Sequence, residues 1–307
     1  MVKMDFWERI MIPERVRIPL LGGWLYNSLS KRARWATKRI PFEKLCLNTG
    51  PRKMKITCSL TSFPDRIDSV QYTIKSLFNQ SMKPDRIILW LAESEFKNVE
   101  FPDSIKQLQN RGLEIRYCEN FFGHKRYYKL IDEQKDDELI VMFDDDIIFP
   151  YYMLERLYDK WQEFPDSIIC DRGQVLTFEG NDVLNPGRWS SISKVGLTKP
   201  SYRLLASPGG GCLIPPHALY KDANDTAIIS KYALKTGDIW LMFMAVQNNT
   251  RIVRTYQYHR TFILSKPVQT VQLGKEAIYQ GRYIKTFHDL AAAYPHAYQN
   301  MLSEISE

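Results

Sequence analysis

Residues 139–150 read LIVMFDDDIIFP, an apolar run that ends in Asp144, Asp145 and Asp146. Such a run between polar segments is typical of a strand buried in a parallel sheet. The aspartates then lie at its carboxyl end, where open α/β sheets bind ligands. In an extended chain Asp144 and Asp146 would face one way and Asp145 the other. A divalent ion such as Mg²⁺ or Mn²⁺ would relieve their repulsion. The alternative is a solvated loop, or caps for a helix expected at 151–164.

The rest of the chain places this strand among alternating strand and helix patterns, which predicts an α/β fold. A mixed central sheet flanked by helices is expected, and no linker separates the two halves, so they should share that sheet. Strands are predicted at 55–61, 86–91, 113–118, 212–214 and 251–258, and helices at 67–78, 104–110, 124–134, 238–247 and 284–302.

Composition restricts the class of protein. The 307 residues are 44% hydrophobic, enough for a large core, and the five cysteines have neither disulfide-framework nor CxxC spacing. No apolar stretch approaches the length of a membrane span, and no signal peptide is recognisable. These features predict a globular protein that stays in the cytoplasm.

Positive charge is concentrated near the N-terminus. The first 55 residues hold 13 Lys or Arg against 4 Asp or Glu, whereas the whole chain has 42 against 35. Tryptophans interleave with these charges, which suits peripheral contact with an anionic membrane, as on the inner face of a cell membrane. The alternative, compatible with the first, is a basic helical extension packed on the core. No recognisable nucleic-acid-binding motif accompanies this basic segment, so nucleic acid is not expected as a partner.

Six short motifs together resemble a known family. In this order and spacing they resemble bacterial glycosyltransferases of the GT-A fold, close to the family 2-like enzymes of capsular polysaccharide and lipopolysaccharide biosynthesis. The resemblance implies a GT-A domain at 54–283, preceded by a basic extension at 1–53 and followed by a C-terminal helix at 284–307. The motifs are TCSLTSFPDR at 57–66, QSMKPDRI at 80–87, HKR at 124–126, FDDDI at 143–147, GGG at 209–211 and GDIW at 237–240.

The resemblance implies a nucleotide-sugar donor held at the carboxyl ends of the first strands. A divalent metal, Mn²⁺ or Mg²⁺, would bridge the donor diphosphate. Its expected ligands are Asp144, Asp146 and a later histidine, His259. Seven residues are expected to contact the donor itself, and Asp144 is among them as well as among the metal ligands. They are Thr61, Ser62, Arg66, Lys125, Arg126, Asp144 and Asp145.

The second half would supply the acceptor side. Asp238 is the expected general base, although a carboxylate before an apolar helix also suits an N-cap. Relatives often have two acids here, whereas this chain has Gly237 before Asp238. The floor of the acceptor and donor-sugar pocket would be formed by Gly209, Gly210 and Gly211. Trp240 would stack on a sugar ring, unless it packs in the core.

These expectations describe a metal-dependent inverting glycosyltransferase. It would move a sugar from a nucleotide-diphospho-sugar, a UDP-sugar in the first instance, to a hydroxyl of a glycan or lipid-linked glycan acceptor. One alternative is a nucleotidyltransferase, which would need a glycine-rich loop after the first strand that TSFPD at 61–65 lacks. The other is a non-catalytic glycan- or membrane-binding relative.

Overall fold

The apolar run at Glu138–Phe143 lies near the middle of a seven-stranded central sheet. The computed structural model describes residues 19–191, 198–255, 263–264 and 281–305. Its strands are β1 (Lys55–Thr61), β2 (Arg86–Ala92), β3 (Leu113–Cys118), β4 (Glu138–Phe143), β5 (Ile147–Ile148), β6 (Ile168–Cys170), β7 (Gly173–Val175), β8 (Phe178–Glu179), β9 (Asp182–Val183), β10 (Ser190–Ser191), β11 (Leu204–Ala206), β12 (Gly210–Ile214), β13 (Ile252–Arg254) and β14 (Ile263–Leu264).

The sheet has the order β13-β6-β12-β4-β1-β2-β3, and only β12 runs antiparallel to its neighbours. Both halves of the chain therefore share one sheet, as predicted. Because β12 is antiparallel, its first residue, Gly210, pairs with Phe143 at the end of β4. The glycine motif and the three aspartates consequently lie at the same edge of the sheet.

Helices cover both faces of the sheet, and their apolar residues follow a helical period where they meet it. Val70, Ile74 and Leu77 are fully buried on the inner face of one such helix. The α-helices are α1 (Pro19–Lys38), α2 (Val70–Phe78), α3 (Glu93–Phe96), α4 (Asp103–Gln109), α5 (Leu130–Glu133), α6 (Met153–Glu163), α7 (Thr226–Tyr232), α8 (Gly237–Gln247), α9 (Arg282–Ala293) and α10 (Pro295–Ser303), and 3₁₀ turns occur at Phe42–Lys44, Pro64–Arg66, Phe122–Arg126 and Pro186–Arg188.

Two helix predictions need correction. The segment 124–134 is a 3₁₀ turn, Phe122–Arg126, followed by the single-turn α5, because hydrogen bonds with Ser59 and Ala233 hold Arg126 and His124 in that turn. The helix predicted at 284–302 is two helices, α9 and α10. They are divided at Pro295, which has no N–H to continue the first helix.

The N-terminal extension packs on the core through one face of α1. Ser30, Ala33 and Thr37 are buried on that face at helical spacing. The buried ammonium of Lys75 on α2 donates to the carbonyl of Lys38, at the end of α1, at 3.3 Å. None of the helices in the described residues has the length and apolarity needed to cross a membrane.

The apolar helix α8 lies between the sheet and the C-terminal helices. Every residue from Ile239 to Val246 is buried. Phe243 packs against Phe287 of α9 with ring centroids 5.1 Å apart, and the N–H of Ala297 in α10 donates to Gln247 at 3.0 Å. Both C-terminal helices therefore help enclose the second half of the core.

Candidate active site

The three aspartates form a turn rather than an extended strand, because β4 ends at Phe143. The N–H of Asp144 donates to the carbonyl of Gly209 at 2.7 Å, which ties the turn to the glycine motif. The predicted alternation of side chains is therefore wrong. Asp145 and Asp146 both contact the guanidinium of Arg66, at 2.5 and 3.1 Å, and Asp144 contacts a different arginine.

Asp145 is an internal anchor. It is 4% exposed, and it accepts hydrogen bonds from Ser62 and Arg66, each at 2.5 Å. Burial raises the pKa of Asp145, and the charge of Arg66 opposes that rise. Thr73 on α2 donates to its backbone carbonyl at 2.9 Å. This corrects the prediction that Asp145 and Ser62 contact the donor, because both side chains are buried and bonded to each other.

Asp144 is the accessible acid of the three. Its side chain is 47% exposed and pairs with Arg126. A Cβ added at Gly209 would lie 1.8 Å from the Asp144 carboxyl carbon, so only glycine leaves room for this carboxylate. Next in the motif, Gly211 has a φ of 96°, in the region that favours glycine. The glycine motif therefore supports the acid turn directly.

Asp144 and Asp146 fit a divalent cation, although they form only a partial site. Burial and the charge of Asp144 raise the pKa of Asp146 to about 7, against the opposing charge of Arg66. A cation between the two would remove that repulsion, and carboxylate oxygens are ligands that Mg²⁺ and Mn²⁺ favour. Within the described ranges no three His, Cys, Asp or Glu side chains cluster as a complete metal site. His259 lies outside the described residues.

A basic turn faces the aspartates across the end of β1. The hydroxyl of Ser59 donates to the carbonyl of Arg126 at 2.5 Å, which fixes this turn against the strand. Lys125 is 3% exposed and approaches Glu95 after β2, with Nζ to Oε2 at 3.7 Å. Burial lowers the pKa of Lys125, and Glu95 opposes that effect. Of the predicted basic pair, Arg126 thus reaches the acids and Lys125 is directed toward Glu95.

The acid predicted as general base, Asp238, stands in the first turn of α8 and is half-buried. Its carboxylate accepts the N–H of Ile239 at 3.0 Å and the hydroxyl of Tyr283 from α9. Burial raises the pKa of Asp238, while those donors and the charge of Arg126 oppose the rise. Arg126 therefore pairs with Asp144 and also acts electrostatically on Asp238.

His124 joins the basic turn to the start of α8. Its imidazole is fully buried between the hydroxyl of Tyr127, at 2.6 Å, and the carbonyl of Ala233, at 3.0 Å. A Cβ added at Gly237 would lie in van der Waals contact with this ring, at 3.4 Å. The imidazole therefore borders the position before Asp238, where this chain has Gly237.

Two side chains that were predicted to contact the substrates are bonded within the protein. Trp240 is fully buried; its indole donates to the carbonyl of Ala223 at 3.0 Å, and its ring packs edge-on against Tyr294. The prediction that Trp240 stacks on a sugar is therefore wrong. Thr61 is half-buried at the end of β1 and donates to the carbonyl of Trp90 at 2.8 Å, so its hydroxyl holds two strands together.

Sequence reasoning missed three residues of this site. Tyr283 carried no local signal, because it acts through a partner far away in the chain. His124 belongs to the HKR motif, but nothing local indicated its contact with Ala233. Glu95 carried a weak signal, as an acid in the short helix α3 that follows β2 at the edge where ligands bind. All three occupy the same edge as the predicted acids.

Comparison with known protein families finds a match that includes much of this edge. The model of the family described as Glycosyl transferase family 2 matches residues 63–221, just over half of the chain. The match includes the basic turn, the aspartates and the glycine motif, and it ends before Asp238. No curated protein matches the chain. With its mostly parallel GT-A type sheet, the chain belongs to glycosyl transferase family 2, whose members transfer a sugar from a nucleotide sugar.

Proposed function

We propose that this glycosyltransferase is metal-dependent and inverting, and that it moves a sugar from a UDP-sugar to a hydroxyl of a bacterial surface glycan, free or lipid-linked. One observation carries the reaction: Arg126 pairs with Asp144 of the acid turn and acts on Asp238. The donor-side acid Asp144 and the acceptor-side acid Asp238 are therefore both within electrostatic reach of one guanidinium. The surface-glycan acceptor is supported by the motif resemblance alone.

Asp144 and Asp146 would hold a Mn²⁺ or Mg²⁺ ion. When bound, that ion neutralises charge on the leaving nucleoside diphosphate. Arg126 and Arg66 are the cations that already face these acids. Arginine offers planar, paired donors to phosphate oxygens, so both can also bind the diphosphate.

Asp238 would act as the general base. The acceptor hydroxyl oxygen forms a bond to the anomeric carbon while the bond from that carbon to the diphosphate oxygen breaks. The hydroxyl proton passes to the Asp238 carboxylate, and the diphosphate leaves with the bonding electron pair. A pKa raised by burial makes Asp238 a stronger base than an exposed aspartate. Direct displacement of this kind inverts the anomeric configuration.

The first test is thermal unfolding of the purified protein with a panel of nucleotide-sugars, each with Mn²⁺, with Mg²⁺ and with chelator. A ligand at 100 times its dissociation constant stabilises a protein by about 2.7 kcal/mol, which is easily detected. We expect a UDP-sugar to raise the melting temperature only with metal, and Asp146→Asn to abolish that rise. A rise that persists in chelator would contradict the metal role.

The second test separates the base from the donor site. Asp238→Asn should keep the metal-dependent rise in melting temperature and lose transfer by at least about 100-fold, the usual contribution of a general base. The anomeric configuration of the product, read by NMR, should be opposite to that of the donor. Retention of configuration would overturn the inverting mechanism.

The family match favours sugar transfer over the alternative of nucleotidyl transfer. The loop after β1, TSFPD at 61–65, also lacks the glycines of a phosphate-binding loop. A non-catalytic relative would show donor-dependent stabilisation without transfer to any acceptor. The thermal test and the transfer test together therefore distinguish an active glycosyltransferase from a non-catalytic relative.

We also propose that α1 holds the protein against the anionic inner face of the cell membrane. Opposite its buried face, the helix exposes a basic stripe around Trp35, which is 58% exposed. The guanidinium of Arg39 lies 3.8 Å from the centre of that ring. A tryptophan among cations suits the interface of an anionic bilayer. The stripe consists of Lys31, Arg32, Trp35, Lys38 and Arg39.

Sedimentation with vesicles tests the membrane proposal. The full chain should bind vesicles that contain phosphatidylglycerol, and high salt should weaken this binding. It should not bind vesicles of pure phosphatidylcholine. Each Lys near the surface contributes about 1 kcal/mol, so Lys31→Gln with Lys38→Gln should weaken binding roughly tenfold or more. The charge-matched control is Lys231→Gln with Lys235→Gln, both exposed elsewhere. Equal binding by the two double variants would contradict the proposal.

A further inference from the structure

Two hydrogen-bond donors from different parts of the chain hold the carboxylate of Asp238. The N–H of Ile239 donates to Oδ1 at 3.0 Å, and the phenol of Tyr283 donates to Oδ2. Tyr283 lies 45 residues further along, in the first turn of α9, and outside the family match at 63–221. The contact therefore depends on the packing of the C-terminal helices against α8.

We infer that Tyr283 is a positioning residue that aims the Asp238 carboxylate at the acceptor hydroxyl. The inference rests on the proposed role of Asp238 as general base. A carboxylate oxygen has about two lone-pair sites, so one donor on each oxygen fixes the rotation and leaves a site on each. One of these remaining sites can take the proton.

The side chain of Tyr283 is itself firmly placed. Its ring is half-buried and packs against Trp189 with centroids 6.1 Å apart. Burial and the charge of Asp238 raise the pKa of Tyr283, so its hydroxyl remains a donor across the range in which an enzyme works. A rigid, permanently protonated donor is what holding a carboxylate in one rotamer requires.

Among the described residues, two titratable groups act on the charge of Asp238, and a third lies beside the preceding Gly237. Tyr283 contributes from α9, and Arg126 contributes a positive charge from the basic turn. His124 of the same turn packs against Gly237; burial lowers its pKa to about 4, so it is neutral near pH 7. Of the three, Tyr283 is the one that hydrogen-bonds the carboxylate. Removing its hydroxyl therefore withdraws a donor from the ionised form and shifts protonation to higher pH.

Tyr283→Phe tests the inference, because phenylalanine keeps the ring against Trp189 and removes only the hydroxyl. We expect kcat to fall about tenfold or more, a fraction of the usual effect of a general base. KM for the donor should change by less than about threefold, because the loss concerns the transition state. The acid limb of the profile of kcat against pH should move to higher pH.

The matched control is Tyr294→Phe. Tyr294 donates to Asp222 at 3.0 Å in a second Tyr–Asp pair, whose partner Asp222 has no proposed role in the reaction. Loss of this hydroxyl should leave kcat and the pH profile as in the wild type. Melting temperatures of both variants, measured alongside, separate a loss of stability from a loss of positioning.

The double variant supplies the decisive comparison. If Tyr283 acts through Asp238, adding Tyr283→Phe to Asp238→Asn should cause no further loss of kcat. Additive losses would overturn the inference, as would wild-type kinetics of Tyr283→Phe in a protein where Asp238→Asn abolishes transfer. That second result would leave the proposed function intact. Full activity of Asp238→Asn would instead remove the base assignment and the inference together.

Discussion

Asp144, Asp145 and Asp146 are adjacent and chemically identical, yet their surroundings give them different tasks. Asp145 is buried and bonded to Ser62 and Arg66, whereas Asp144 is half exposed beside one arginine. Removing one partner of a buried ion pair leaves the other charge uncompensated. A partly exposed pair contributes little to stability. Function and stability should therefore separate within the triplet.

We predict that Asp145→Asn lowers the free energy of unfolding by about 3 kcal/mol, the usual cost of breaking a buried pair. Asp144→Asn should change it by less than about 1 kcal/mol and reduce transfer at least about 100-fold. Urea unfolding and transfer assays on both variants provide the comparison. Equal loss of stability in the two would contradict the separation of roles.

His124 should give the stability of the protein a measurable pH dependence. Burial lowers its pKa from 6.5 to about 4 in the folded state. Between these values the unfolded chain binds the extra proton, so this contribution to stability is present above pH 6.5 and is lost as pH falls toward 4. Over that interval the loss amounts to about 3 kcal/mol.

Asp146 contributes in the opposite direction, because its folded pKa is raised to about 7. The prediction therefore concerns the difference between the wild type and His124→Gln, which share that acid. The stability advantage of the wild type should shrink between pH 6.5 and 4, as measured by urea unfolding. His288→Gln, at an exposed position, serves as the control. A constant advantage across the interval would show that His124 does not titrate as argued.

At the scale of elements, the glycine motif and the acid turn depend on each other's shape. A Cβ at Gly209 would overlap the Asp144 carboxylate, so the carboxylate or the loop must move. We predict that Gly209→Ala costs about 1 to 3 kcal/mol, as overpacking does, and abolishes the stabilisation by metal and donor. Gly187→Ala is the control, because a Cβ there meets nothing within 4 Å. Wild-type donor binding by Gly209→Ala would refute the steric argument.

Strands were more predictable than helices in this chain. The strands β1, β3 and β4 lie within one residue of the predicted bounds, because β4 is a continuous apolar run while β1 and β3 alternate apolar and polar residues. The helix predicted at 124–134 failed, because Ser59 and His124 hold that segment as a 3₁₀ turn through contacts with β1 and Ala233. Tertiary hydrogen bonds there outweighed the local helical pattern.

At the scale of the whole molecule, α9 and α10 complete the core around α8. Phe287, Leu290 and Met301 are at most 1% exposed. Each such side chain contributes about 1.5 to 3 kcal/mol on burial, so their sum approaches the 5 to 15 kcal/mol stability of a typical domain. The domain boundaries at 1–53, 54–283 and 284–307 stay a prediction, and from these contacts we expect that the C-terminal helices are needed for folding.

We predict that a chain ending after Gly281 does not fold cooperatively. Loss of both helices should expose the apolar surface of α8, which would appear as binding of a hydrophobic dye and as a broad thermal transition. The matched control, Glu304→Gln, weakens the contacts of the Glu304 carboxylate with Ser201, Tyr202 and Arg251 and keeps both helices. It should keep a sharp transition. Cooperative melting of the truncated chain would show that the core closes without these helices.

The sequence by itself determined the α/β alternation, the central strand with its acids, and the glycines and later acid that meet them, because local apolar patterns specify which residues a sheet must bury. Only the tertiary structure decided that Asp145 is an anchor, that Trp240 belongs to the core, and that Tyr283 reaches Asp238. Those contacts join residues tens of positions apart. Their partners are selected by packing in three dimensions, which no local pattern in the chain records.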